Sequence, residues 1–225
     1  MDILNWIYLV KNKFTRTTVE NPATDLLVIG ADVSYAKRGD KYQNYVMTVE
    51  DFLASAARPY KVYTALLTQS GGDNELQITG GTLTVGVSYQ VDINTGGADF
   101  TNVGAPNNEI GTWFVATGTT PTSWGTGALL YNTGAPVVAV LENTIGNIWF
   151  TYNVVGIYTA ESNSLFTDKK TFQFINNDYT IGEDGQLIIS NGGSDTTIYL
   201  ASKDVAQLPI DGLFYLTPIE IRVYN

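Results

Sequence analysis

GGTLTVGVSYQVDINTGGADFTNVGAPNNEIGTWFVATGTTPTSWGTGALLY, residues 80–131, decides how the rest of the chain folds. Leu83, Val85 and Val87 share one parity, continued by Tyr89 and Val91, and Trp113 and Val115 alternate with Thr112, Phe114 and Ala116. Period-two runs rich in Val, Thr and aromatic residues, separated by Gly, Asn and Pro, are half-buried strands. Nothing between them has helical length. The stretch predicts a compact β module with loops at 96–108 and 118–127.

Its neighbours fix its place. YKVYTALLTQSG precedes it and TGAPVVAVLENTIG follows it. Joined directly, these two would make an ordinary hairpin. Residues 80–131 therefore read as a module inserted into a loop of a second β domain, the kind of exposed turn that tolerates insertion. On this reading excision costs little, because loop closure depends only weakly on length.

The whole chain has 225 residues, room for one large or two small domains. Its 44% hydrophobic content suffices for a core, and only 15% of residues are charged. Abundant Gly, Thr, Asn and Tyr suit sheets and turns rather than helical bundles or disorder. The formal charge of −10 repels phosphate, so generic nucleic-acid binding is not expected. No cysteine is present, which excludes disulfides and thiolate metal sites. The absence of histidine removes the commonest general base and the commonest zinc ligand. No apolar run reaches the length of a membrane span, and 1–10 lacks the basic start and cleavage site of a signal peptide.

Residues 1–45 differ from the remainder. Ile3, Trp6 and Tyr8 lie in an apolar run, and Lys11, Lys13, Phe14 and Arg16 follow in the densest basic patch of an acidic chain. The segment is too short to bury its own apolar residues, so it is expected to dock, on its own chain or on a partner. Thr48 and Asp51 have capping-box spacing, predicting one short helix over 49–56 that Pro59 ends. From Tyr60 on, strands are predicted at about 61–68, 83–91, 112–117, 137–142, 147–153, 155–161, 170–175, 186–190, 197–201 and 218–224, with a helical turn at 203–207. Many short strands between Gly and Asn turns argue for a sandwich or barrel. The predicted fold is all-β: an antiparallel, jelly-roll-like β-sandwich with a small inserted β module, an extended N-terminal docking segment and one short helix. The domains are 1–45 for attachment, 46–59 as helix and linker, 60–79 with 132–225 as the sandwich, and 80–131 as the insert.

Signals for catalysis are weak. A glycoside hydrolase needs two carboxylates facing across a cleft. The candidates Asp178, Glu183, Asp184 and Asp204 sit largely in turn sequence; Asp184 precedes Gly185. Asn176, Asn177, Asp178, Glu183 and Asp184 offer oxygen ligands for a calcium ion, but their spacing is not that of an EF-hand. Neither a metal, a cofactor nor an enzymatic activity is predicted. Trp113 and Trp149 lie in strand runs and read as core. Trp124 lies in a Pro/Thr/Ser/Gly loop and is the best single candidate for a glycan contact. The supply of Tyr and Phe exceeds one sandwich core, which predicts a homo-oligomer.

Asp99-Phe100-Thr101, Gly104-Ala105 and the run from Gly111 through Gly118 resemble a small module that recurs in tailed-phage structural proteins. The flanks YTALLTQSG, APVVAVLENTIGNIWFTYNVVGIYT and FTDKKTFQFI, with DLLVIG and TVEDFL nearer the start, resemble virion proteins of crAss-like phages, head fibre proteins above all. The resemblance covers most of the chain from Tyr60 onward. It implies a structural head fibre on the capsid exterior, attached through 1–45 to the major capsid protein or another virion protein. It implies three-fold assembly, with a dimer as the alternative. The competing expectation is a tail-fibre or receptor-binding protein whose Trp124 loop recognises host surface glycan.

Overall fold

The computed structural model describes residues 26–29, 45–48, 58–176, 185–191 and 194–224. The predicted helix over 49–56 lies outside them, as do Asn177, Asp178, Glu183 and Asp184. Within residues 1–58, β1 (Leu26–Ile29) pairs antiparallel with β2 (Tyr45–Thr48), in register from Leu26↔Thr48 to Ile29↔Tyr45.

Residues 59–225 form a second unit. Its strands are β3 (Tyr60–Thr68), β4 (Glu75–Ile78), β5 (Ser88–Asn94), β6 (Trp113–Val115), β7 (Gly127–Asn132), β8 (Val137–Asn143) and β9 (Ile148–Val154). They continue with β10 (Ile157–Ser162), β11 (Thr171–Ile175), β12 (Gln186–Asn191), β13 (Thr197–Lys203) and β14 (Thr217–Tyr224). Three four-stranded antiparallel sheets result, in the orders β11-β14-β3-β8, β12-β13-β10-β9 and β4-β7-β5-β6.

The first two sheets make the sandwich. Alternation selects its core: Tyr63, Ala65 and Leu67 from β3 and Ile219, Ile221 and Val223 from β14 meet Phe150, Tyr158, Ala160, Ile198 and Leu200. Each fully buried large side chain contributes about 1.5–3 kcal/mol. The all-β sandwich matches the expectation; the strand order refines it. In a jelly roll, consecutive strands alternate between sheets. Here β9–β10 and β12–β13 stay together as antiparallel pairs within one sheet. The two-residue turn at Val155-Gly156 is too tight for β10 to cross to the other layer.

The third sheet has its own core of Leu83, Tyr89, Val91, Phe100, Val103, Phe114 and Leu129. The chain leaves β3 and returns to β8 at one place: Thr133 donates its N–H to the Asn74 carbonyl at 3.0 Å. β3 and β8 themselves pair antiparallel from Thr68↔Val137 to Tyr63↔Asn143.

Local departures from the predicted elements have local causes. The run 83–91 is not one strand. Gly86 turns the chain at φ 86°, Val85 is 51% exposed, and β5 begins only at Ser88. A Cβ on Gly86 would collide with the Val138 carbonyl oxygen, so close backbone approach requires glycine there. The short strand β4 and the Gly-led strand β7 were not foreseen. The predicted helical turn at 203–207 is instead the end of β13 followed by a turn closed by Gln207 N–H to the Asp204 carbonyl at 3.0 Å.

Candidate functional site: the module loops and the seam beneath them

Asp99-Phe100-Thr101, Gly104-Ala105 and their neighbours converge in one loop cluster. Phe100 is fully buried and supplies the core. Asp99 Oδ1 accepts from the Thr101 N–H at 3.0 Å, the Thr101 hydroxyl at 2.7 Å and Asn108 Nδ2 at 3.2 Å. These donors, Thr101 first, hold the Asp99 carboxyl below the usual carboxylate range. Asn108 Oδ1 in turn accepts the Phe100 N–H at 2.8 Å, and Asn94 Nδ2 donates to the Asn108 carbonyl at 2.9 Å. A single 3-10 turn, Thr101–Val103, follows and ends at Gly104. Gly104 sits at φ 113° with its α-carbon face against the Val115 carbonyl, where a side chain has no room.

The second loop is tied to the first. Asn102 donates to the Thr120 carbonyl and accepts the Thr122 N–H, both at 2.9 Å. Trp124 is half-buried: its ring meets Phe100 edge-on at 5.4 Å, and Nε1 donates to the Gly81 carbonyl at 3.0 Å. The polar atoms of the motif thus close on one another and on backbone. Asx-type turns and amide bridges of this kind fix loop shape.

Below the loops lies a seam with the sandwich. β8 and β9 are edge strands of the two sandwich sheets, and unpaired edges are a liability. The module covers both. Val138 N–H donates to the Gly86 carbonyl at 2.9 Å, and Phe150 N–H donates to Ser88 Oγ at 2.8 Å. Asn147 Nδ2 reaches the Trp113 carbonyl at 2.7 Å. Trp113 and Trp149 stack at 6.4 Å between centroids with planes 6° apart, and Val115 packs on the sandwich core. Both tryptophans were read as core. Trp149 is buried at 6% exposure, whereas Trp113 is half-buried as the outer member of the stack. The Trp149 indole N–H has no acceptor among the described residues.

A second polar knot sits at one end of the sandwich. Asp211 accepts from Tyr152 OH at 2.9 Å, Tyr158 OH at 2.6 Å and the Gly156 N–H at 2.8 Å. Desolvation, then the Asp211 carboxylate, pushes the Tyr152 phenol up to about 12. The same two causes raise fully buried Tyr158 well above the ordinary tyrosine value. Nearby, buried Gln69 donates to the carbonyls of Gly71 and Gly134 and accepts the Gly212 N–H.

The attachment candidates Ile3, Trp6, Tyr8, Lys11, Lys13, Phe14 and Arg16 lie outside the described residues. Asp204, one of the carboxylates weighed for hydrolysis, caps its own turn by accepting the Leu208 N–H at 2.9 Å. Among the described residues no three Asp or Glu side chains gather as a metal site, and no helix is long and apolar enough to cross a membrane. Ser88 and Asp211 carry no local signal in the sequence that marks these roles, because their partners lie 62 and 53–59 positions away. Gly86, interrupting an otherwise clean alternation, was the one signal pointing toward the seam. Comparison with protein-family models, curated proteins and solved structures finds no match to this chain.

Proposed function

We propose that the chain is a structural phage virion protein, a head fibre on the capsid exterior, rather than an enzyme. Residues 1–45 attach it to the major capsid protein or another virion protein, and its β domains project for adhesion. Copies assemble as a trimer, with a dimer as the alternative. The observation that supports this reading is the use made of the motif residues. Asp99, Thr101, Asn102 and Asn108 engage their polar side-chain atoms with one another and with backbone to hold loops, which suits a rigid spacer repeated across structural proteins. A catalytic cluster would instead aim such groups at a ligand.

The test is removal of 1–45. The truncated protein should remain folded and should no longer decorate purified particles, while the full chain is labelled on the head. Wild-type occupancy by the truncated protein overturns the attachment role. Labelling confined to the tail tip overturns the head position and favours receptor binding. Absence of the full chain from purified virions overturns the virion reading altogether.

A further inference from the structure

Large apolar side chains that stand more than half exposed are not scattered over this chain. Of the eleven among the described residues, six lie at one end of the sandwich: Val154, Val155, Val205, Leu208, Tyr215 and Leu216. Two connections carry them, β9 to β10 and β13 to β14, and hydrogen bonds tie these to each other and to the loop after β3. Gly156 N–H donates to Asp211, Gly212 N–H donates to Gln69, and Gln69 N–H donates to the Phe214 carbonyl. The surface is therefore held in shape before anything binds it.

The backbone at this end departs from ordinary geometry. Gln207 and Leu216 adopt positive φ of 63° and 47°, a region that side-chain-bearing residues rarely occupy. Leu216 is held there by its N–H to Thr68 Oγ1 at 3.3 Å, with its side chain 52% exposed. Burial of that side chain within the chain does not explain the conformation.

We propose that this end of the sandwich buries against the same end of a second copy of this chain, about a shared symmetry axis. The area fits. Six such side chains expose on the order of several hundred Å², at the upper limit of the patches ordinary monomers carry and close to the ~800 Å² per partner of a standard interface. The composition fits too, since the six are Tyr and aliphatic residues with no charged side chain among them. This inference rests on the self-association in the fibre reading and assigns it a surface.

Sedimentation equilibrium of the full chain at micromolar concentration tests it. The probe is the Leu208→Ser/Tyr215→Ser double variant. Phe172→Ser/Phe174→Ser, on exposed side chains of β11, is the control. The wild type and the control should sediment as two or three chains. The double variant should sediment as one chain, with association at least tenfold weaker and an unchanged circular dichroism spectrum. If the double variant misfolds, Tyr215→Ser alone serves, since Tyr215 is 77% exposed. A monomeric wild type overturns the inference, as does a folded variant of wild-type mass or dissociation of the control in place of the variant. A monomeric chain that still labels virion heads sinks this surface and leaves the fibre reading standing.

Discussion

The backbone N–H of Phe150 donates to the hydroxyl of Ser88 at 2.8 Å, with both residues buried and 62 positions apart. One side chain of the module thus satisfies an open edge of the sandwich. Ser88→Ala leaves the Phe150 N–H buried without a partner, which costs about 1–3 kcal/mol. Denaturant unfolding should show the midpoint falling with the slope unchanged. A loss below about 0.5 kcal/mol would mean that water or a shifted backbone replaces the hydroxyl.

The same seam revises the expectation for excision. Removing 72–132 and joining Gly71 to Thr133 changes loop closure little. It also uncovers the Val138 and Phe150 N–H groups and strips Val115 from the sandwich core. Two hydrogen bonds exchanged for water at about 0.5–1.5 kcal/mol each, plus the lost packing and the opened strand edges, predict a destabilised and association-prone remnant. A shortened chain that unfolds at the wild-type midpoint would show the module to be energetically separate.

The strands were legible where alternation is strict, as in Ile219, Ile221 and Val223, because period two is a local property of the chain. β4 was not, since Glu75-Leu-Gln-Ile78 is short and largely exposed and its pairing partner Leu129–Asn132 lies far along the chain. The start of β5 was misread because Val85 keeps the parity of the run while Gly86 turns it. The motif residues were legible as a loop, but not their purpose. Asp99 holding Thr101 is a local pattern, whereas Asp211 gathering Tyr152, Tyr158 and Gly156 across 53–59 positions is set by tertiary packing alone.

That knot makes stability depend on alkaline pH. An isolated tyrosine ionises near 10, while Tyr152 in the folded protein does so at about 12. A raised folded value contributes stability that is fully present below pH 10 and is lost as pH climbs through 12. Unfolding midpoints should therefore fall across that window, tracked by tyrosinate absorbance. Asp211→Ala removes the acceptor of three donors, one of them the fully buried Tyr158, and should cost about 1–3 kcal/mol for that hydroxyl alone at neutral pH. If Asp211→Ala leaves neutral-pH stability intact, the knot is not a structural tie.

Trp124 separates the fibre reading from a glycan-binding one. Its ring edge rests on Phe100 and its N–H is held by the Gly81 carbonyl, which makes it a clasp between the second loop and the start of the module. Trp124→Phe keeps the ring and loses the N–H, and should cost about 0.5–1.5 kcal/mol. Trp124→Ala also loses the contact with Phe100. It should cost more than Trp124→Phe but less than the roughly 3–5 kcal/mol of a fully buried Trp→Ala change, because Trp124 is only half-buried. A glycan platform predicts a different ordering, since an exposed stacking ring can be removed with little effect on folding while sugar binding disappears. The two substitutions should be compared by thermal unfolding and by binding to a panel of bacterial surface polysaccharides. A clasp gives a graded loss of stability, with Trp124→Ala worse than Trp124→Phe, and no change in polysaccharide binding. Unchanged stability in Trp124→Ala, together with lost binding to one polysaccharide, would move the function of this loop from scaffold to receptor recognition.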